Sequence, residues 1–271
     1  MNIAVDIGAS NMIIASQDIQ GNIIDQVKLL TPETAQDTLE LIEAAIASQF
    51  NTTKFDRIII GVPGPVENNL VRWCSNLGKD WKNFDFATRL IKDFNVEVLV
   101  ENDANLAGLA EVNNLANLPK SAIYLTIGAG IGSSFIINGQ LVPGLMNSEA
   151  GMTPLEYDGV IREWEKFASS HAIKKAYGSL ISEINDPKIW RAITDRLSRG
   201  ILVLIPIVQP DIIIIGGSMG TNFNKYGQYL KDIIDEKLPI GLYRPSIKAA
   251  AQPELAVING AHIYSKLTKH G

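Results

Sequence analysis

The chain has 271 residues, 46% hydrophobic and 20% charged, the balance of a globular protein with one large or two modest domains. A net charge of −5 argues against nucleic acid or an anionic membrane as the main partner. The single cysteine, Cys74, excludes an internal disulfide and a cysteine-based metal cluster.

The opening MNIAVDIGAS lacks the basic flank and long apolar core of a signal peptide. No apolar run reaches transmembrane length, and residues 201–208 are interrupted by Pro206, so a cytoplasmic protein is expected. Residues 2–7 read as a strand that stops at Gly8. Strands at 12–16 and 23–30 follow, completing a meander of hairpins. Thr31-Pro32 reads as a helix start with Thr31 as the cap, and Leu39, Ile42, Ile46 and Phe50 recur at helical spacing. Residues 57–62 form a buried strand ended by Pro63-Gly64-Pro65, a rigid turn suited to a cleft wall. Residues 84–94 read as helix, 96–100 as strand and 104–112 as helix, so the first third is βββαβαβα.

After Pro119 the pattern restarts. Strands at 122–127 and 133–137 flank Gly128-Ala129-Gly130-Ile131-Gly132, and Asn138-Gly139 signals a hairpin. Residues 162–177 and 189–207 read as helices, the second kinked at Pro206. Residues 211–215 are an apolar strand ending at Gly216-Gly217. A helix at 224–237, a strand at 246–250 and a helix at 254–267 complete the chain. A Gly-turn hairpin thus opens each half, a repeat of topology rather than of sequence. Two α/β domains facing each other across a cleft are expected, one of residues 1–117 plus 256–271 and one of 118–255.

Glu101-Asn102-Asp103-Ala104-Asn105 joins a strand to a helix, the place where open α/β sheets bind ligands. A carboxylate there faces the positive end of the helix dipole and is expected to stay ionised. It is suited to taking a proton or hydrogen bond from a substrate hydroxyl, while a simple N-cap role for Asn102 or Asp103 is the alternative. Asp6, Gly8, Ala9, Ser10 and Asn11 form a turn whose N–H groups suit an anion, with Asp6 placed to hold Mg²⁺ through water; an ordinary glycine hairpin has the same sequence. Gly128-Ala129-Gly130 lets backbone approach a phosphate, but neither a P-loop nor a dinucleotide fingerprint follows. Gly216-Gly217 leads into a helix, a further site for adenosine or phosphate. Glu149 and Glu165, the latter between Trp164 and Phe167, suit a polyhydroxy ligand, and solvated surface roles are the alternative. His171, His262 and His270 show no pairing with Cys or closely spaced carboxylates, so no metal cluster is expected.

DIGAS, GVPGPV, ENDANLAGLAE, LTIGAGIGSSFIINGQLVPG, SEAG, EKFASS and PDIIIIGGS, in that order, resemble the ROK (repressor, open reading frame, kinase) group of sugar kinases and regulators, over nearly the whole chain. The resemblance implies a two-domain α/β fold of the actin-like, hexokinase-like ATPase type, with duplicated ribonuclease-H-like domains and a central cleft. It implies that Asp103 is the base toward a sugar 6-hydroxyl, and that Gly64, Asn102, Glu149 and Glu165 bind the sugar. Residues 6–11 and 128–130 would be the phosphate loops, with Gly216 and Gly217 on the adenosine side. ATP and Mg²⁺ are the implied cofactors, polyphosphate is an alternative donor, and a homodimer is the expected assembly. Family repressors carry a helix-turn-helix before the kinase-like part; the first strand here begins at Asn2, so a repressor is not expected. A catalytically weak sugar- or nucleotide-binding module is the remaining alternative.

The chain departs from the family pattern in five places, including Ser10 for a Thr and Asn11 for a frequent Lys in the first phosphate loop. Met152 stands where a sugar-binding His is usual, the following Cys-rich zinc element is missing, and Ala129 replaces a Thr. No zinc is therefore expected. Packing of Leu155, Tyr157, Ile161 and Trp164 is expected to hold residues 152–164 instead.

Overall fold

The computed structural model describes residues 1–51, 54–74 and 77–268. The chain divides into one unit of Met1–Ala110 with Glu254–Gly271 and a second of Glu111–Pro253.

In the first unit, β1 (Asn2–Ile7), β2 (Asn11–Gln17) and β3 (Ile23–Leu30) form the meander, followed by α1 (Ala35–Gln49) and β4 (Arg57–Val62). Three two-residue strands come next: β5 (Val66–Glu67), β6 (Leu70–Val71) and β7 (Phe84–Asp85). Then come α2 (Ala87–Phe94), β8 (Glu97–Asn102) and α3 (Asp103–Asn113). The main sheet has the order β3-β2-β1-β4-β8, with β4 and β8 parallel to β1. Alternation along the strands builds two cores. Ile3, Val5, Ile58, Ile60, Val98 and Val100 face one cluster with Leu39, Ile42 and Leu90. Ala4 and Ile59 face the other, with Leu106, Ile258 and Ala261.

Two helix starts differ from the sequence reading. The cap of α1 is Thr34, whose hydroxyl accepts from Asp37 N at 3.0 Å. Thr31 instead donates its hydroxyl to Gly8 O at 2.8 Å, closing the first glycine turn. Residues 84–85 pair with β6 rather than starting a helix. The Asp85 carboxylate then takes Thr88 N at 2.9 Å, so α2 begins only at Ala87.

The second unit contains β9 (Ser121–Ile127), β10 (Ile131–Ile137), β11 (Gln140–Leu141), β12 (Pro154–Tyr157), β13 (Val160–Glu163), α4 (Glu165–Ala168) and α5 (Ser170–Tyr177). It continues with α6 (Pro187–Val208), β14 (Ile212–Gly216), α7 (Gly217–Thr221), α8 (Gly227–Lys237) and β15 (Ser246–Ala249). Its sheet runs β11-β10-β9-β14-β15, the β9–β10 hairpin followed by parallel β14 and β15. The Asn138-Gly139 turn has φ of 50° and 76°, the left-handed pair that a two-residue hairpin needs. Ile123, Leu125 and Ile213 pack on Trp164, Leu197 and Ile201. The last helix, α9 (Ala256–Leu267), belongs to the first unit. Gln17 Nε2 bonds its Ile258 O at 3.0 Å, and Asn2 Nδ2 its Ser265 Oγ at 2.9 Å.

The helix expected over 162–177 is not continuous. Its first part is strand β13, paired with β12 through a turn at Asp158 (φ 54°) and Gly159 (φ 75°). Leu155 and Tyr157 pack against the core, and Trp164 is fully buried. Tyr157 stacks on Phe167 with ring centroids 4.6 Å apart. The guanidinium groups of Arg162, Arg196 and Arg199 lie 5.9, 5.1 and 5.1 Å from the Tyr157 ring centre. Ile161 is a correction: it pairs with Glu156 on the outer face of the hairpin and is 73% exposed, so it fastens nothing.

Candidate active site

The parallel register of the first unit aligns Asp6 with Gly61, and Gly61 with Glu101. These three strand ends face the α9 side of the sheet. A Cβ on Gly61 would lie 2.5 Å from Val257 Cγ1, so a bare backbone lets α9 close down here. Helix α3 starts at Asp103, directly after β8. Asn102 is its cap: Oδ1 accepts from Asn105 N at 3.2 Å. The Asn102 amide also donates to Gly64 O at 3.0 Å, tying the helix start to the Pro63-Gly64-Pro65 turn. Gly64 has φ 141°, and a Cβ there would meet Trp73 O at 2.1 Å. Asn102 thus performs the structural role that was its alternative reading, and these two bonds leave one N–H and one lone pair of its amide unused.

Asp103 Oδ1 accepts from Ala104 N at 2.7 Å. Burial pushes the Asp103 carboxyl up to about 7, outweighing the backbone N–H groups of Ala104 and Asp103 that pull it down. Asp6 is likewise pushed up to about 7, first by burial and then by the charge of Asp103. The expected ordinary, fully ionised carboxylate is therefore corrected, because desolvation exceeds the helix-terminus effect. No cation contributes to either shift. Two neighbouring carboxylates without a countercharge fit Mg²⁺, which binds through one or two carboxylates, water and substrate phosphates.

Sequence reasoning passed over a third carboxylate, Glu101. It is 3% exposed, and its Oε1 accepts from Asn102 N and Asn105 Nδ2, both at 2.8 Å. The Tyr264 hydroxyl of α9 also bonds the Glu101 carboxylate. Burial raises Glu101 above the usual carboxylate range, with these donors opposing the shift.

The turn after β1 is closed by Gly8 N donating to Asn11 O at 3.0 Å and by Thr31 N donating to Ser10 O at 3.1 Å. Ala9, Ser10 and Asn11 are exposed at its tip. His171 is exposed, His262 is buried with its ring against Gly21, and His270 lies outside the described residues. Among the described residues, no three His, Cys, Asp or Glu side chains form a group able to hold a metal.

In the second unit, Glu165 and the segment carrying Glu149 both lie against the start of β10. Ile131 N donates to Glu165 Oε2 at 3.4 Å, and Lys166 Nζ pairs with Glu165 Oε1 at 2.8 Å. The segment carrying Glu149 lies across the same strand. Ser133 Oγ donates to Ser148 O at 3.0 Å and accepts from Ala150 N at 3.1 Å. A Cβ on Gly151 would lie 2.3 Å from Ile131 O, so the glycine permits this approach. Met152 is half-buried, and its N–H donates to Glu149 O at 3.0 Å.

The other two glycine turns also meet. Gly128 O accepts from Ser170 N at 2.8 Å at the start of α5. Ser170 Oγ lies 2.6 Å from Ser218 Oγ in α7. Gly217 (φ 67°) packs where a Cβ would touch Ile127 O at 2.6 Å. Gly128, Gly216 and Gly217 thus lie at the adjacent ends of β9 and β14, joined through Ser170 and Ser218.

Two sheets of one topology, each opened by a glycine-turn hairpin, define a duplicated α/β fold of the actin-like, hexokinase-like ATPase class. The ROK family model matches residues 2–266, and the chain belongs to that family. It is 30% identical over 269 residues to a polyphosphate glucokinase of Mycobacterium leprae, covering 96% of this chain and 73% of the relative. An inorganic polyphosphate/ATP-glucomannokinase from Arthrobacter sp. strain KM superposes with a TM-score of 0.77 at 27% identity, covering 98% of each chain. A ROK family glucokinase from Streptomyces griseus in complex with glucose and AMPPNP gives a TM-score of 0.82 at 23% identity, over 100% of this chain and 99% of that one.

Proposed function

We propose that the chain is an ATP-dependent hexose kinase, transferring the γ-phosphoryl group of ATP to the 6-hydroxyl of a glucose-type hexose or amino-hexose. The observation that carries the reading is the Asp6–Asp103 pair, neighbouring carboxylates at the end of β1 and the start of α3, both raised by desolvation to about 7 with no cation among the causes. Membership of the ROK family and the activities named for its relatives support the same conclusion.

Asp103 accepts the proton of the sugar hydroxyl as the O–P bond forms and the bond from phosphorus to the ADP oxygen breaks. Phosphoryl transfer has a loose transition state, so position matters more than base strength. A carboxyl poised near 7 holds and releases a proton readily at neutral pH. Asp6 would hold Mg²⁺ through water, and the ion would neutralise charge on the phosphate oxygens. Asn102, Gly64, Glu149 and Glu165 hold the sugar. The turns at residues 8–11 and 128–130, with Gly216 and Gly217, hold the phosphates and adenosine. A cytoplasmic homodimer acting on a small sugar, with neither nucleic acid nor membrane as partner, completes the reading. The net charge of −5 speaks against nucleic acid or an anionic membrane as partner. Among the described residues, no helix is long and apolar enough to cross a membrane.

Polyphosphate is the second donor, favoured by the 30% identity to a polyphosphate glucokinase. A coupled ADP-release screen over hexoses, with sugar phosphate measured in parallel using polyphosphate, tests both donors. Turnover of at least one hexose with ATP is expected. Sugar and nucleotide binding without turnover would leave the chain a binding module.

A further inference from the structure

Glu101 is buried one residue from the strand end and has three donors of its own. Two of them flank Asp103 in sequence: the backbone N–H of Asn102 and the side-chain amide of Asn105, both 2.8 Å from the same oxygen. The third is the Tyr264 hydroxyl, from the last helix. The helix α9 that carries it is held close to α3. A Cβ on Gly260 would lie 1.8 Å from Leu106 O, so α9 touches the α3 backbone there. Gly260 and Tyr264 are four residues apart and share one face of α9. The face that packs on α3 therefore also delivers the phenol to Glu101.

We propose that Glu101, locked by Tyr264, is a positioning residue for Asp103: it fixes the first turn of α3 by gripping the residues on both sides of the base. This rests on the reading of Asp103 above. The reacting distance in phosphoryl transfer is short, and misplacement of about 1 Å lowers rates on the order of a hundredfold. Small rotations of the α3 start are therefore enough to matter. All three partners of Glu101 are donors, so the role is geometric. A glutamine keeps the oxygen that holds Asn102 and Asn105 and turns its amide toward the phenol, which then accepts.

The test is steady-state kinetics on Tyr264→Phe, Glu101→Ala, Glu101→Gln and Asp103→Asn, with circular dichroism and thermal melting for each. Tyr264→Phe keeps the ring and removes the donor. It is expected to lower kcat about tenfold or more while the sugar KM stays within about twofold. Glu101→Ala should lose more, and Glu101→Gln should recover most of that loss. Wild-type kcat in Tyr264→Phe, with only its melting temperature lowered, would show a purely structural bond and overturn the inference. Failure of Glu101→Gln to recover the rate would show that charge, not geometry, matters, and would also overturn it. Should Asp103→Asn keep kcat, the base assignment falls and the inference with it. Should Asp103→Asn lose kcat while Tyr264→Phe keeps it, only the positioning role falls.

Discussion

Across the first sheet Asp6 pairs with Gly61; across the second, Thr126 pairs with Gly216. The two pairs hold the same place in two sheets of the same order, on the first strand of a hairpin and its parallel neighbour. Both glycines make room for a neighbour: Val257 Cγ1 would lie 2.5 Å from a Cβ at Gly61, and Tyr124 Oη 2.1 Å from one at Gly216. The scaffold is repeated and the charge is not. The first unit concentrates carboxylates at its strand ends and at the start of α3: Glu101 is buried, Asp6 and Asp103 are half-buried, and desolvation raises all three. The second presents glycine turns and serine hydroxyls at the corresponding ends of β9 and β14. In the proposed function, one topology is divided between a proton-handling half and a backbone-cradle half.

The largest expected effect separates the paired positions directly. Asp6→Asn should lower kcat on the order of 10²-fold, the size typical of losing one preorganised electrostatic group, and raise the Mg²⁺ concentration required. Thr126→Ala, its counterpart, should change kcat less than about threefold. Equal losses in kinetic assays would break the asymmetry between the units.

The glycines sharpen the comparison on the stability side. Gly216→Ala should destabilise by about 2–3 kcal/mol, since Tyr124 is buried and its ring cannot step aside. Gly61→Ala should be milder, at about 1–2 kcal/mol, because Val257 meets it with a single methyl. Urea denaturation ranks the two, and a larger loss at Gly61 would contradict this packing argument.

Burial of Asp103 also opposes stability. A carboxyl raised on folding is fully stabilising below its unfolded value of 3.8, and that contribution is lost as pH rises through about 7. Asp103→Asn should therefore gain on wild type between pH 4 and 7 and hold a lead of about 2 kcal/mol above that, a figure discounted for partial solvent contact. Melting curves across this range, with a constant difference from pH 4 to 8, would show that Asp103 is not desolvated.

The smallest effect concerns Met152. Met152 stands where the family's sugar-binding His is usual; a thioether accepts weakly and donates nothing, so in the proposed site one sugar hydroxyl would lack a partner. Met152→His should lower the KM for glucose about tenfold, within the range for one buried hydrogen bond. A sugar bearing an N-acetyl methyl should suffer the opposite change. Kinetics on glucose, mannose, N-acetylglucosamine and N-acetylmannosamine decide it, and an unchanged preference order would remove Met152 from selectivity.

The strands and long helices were legible because their patterns are local. Residues 57–62 and the Ile-rich β14 are apolar runs, and Leu39, Ile42 and Ile46 are spaced for one helix face, all buried as expected. Other features depend on partners far along the chain. Thr31 looked like a helix cap because Pro32 follows it; its hydroxyl is instead drawn to Gly8, 23 residues earlier. The hairpin at β12 and β13 had a readable signal, Asp158-Gly159, which the helical spacing of residues 162–177 obscured. Asp103 and Asn102 were singled out, yet the raised state of the Asp103 carboxyl was not. Desolvation is a property of the whole packed unit. Glu101 was passed over for the same reason: its partner Tyr264 lies 163 positions later in the sequence.

The most direct test of the account is a single-turnover measurement of phosphoryl transfer with Asp103→Asn, at saturating hexose and ATP with Mg²⁺. The account predicts a folded protein that binds sugar near wild-type affinity and transfers phosphate at least about 10²-fold more slowly, the low end for a positioned base. Transfer at the wild-type rate would contradict it and remove Asp103 from the chemistry.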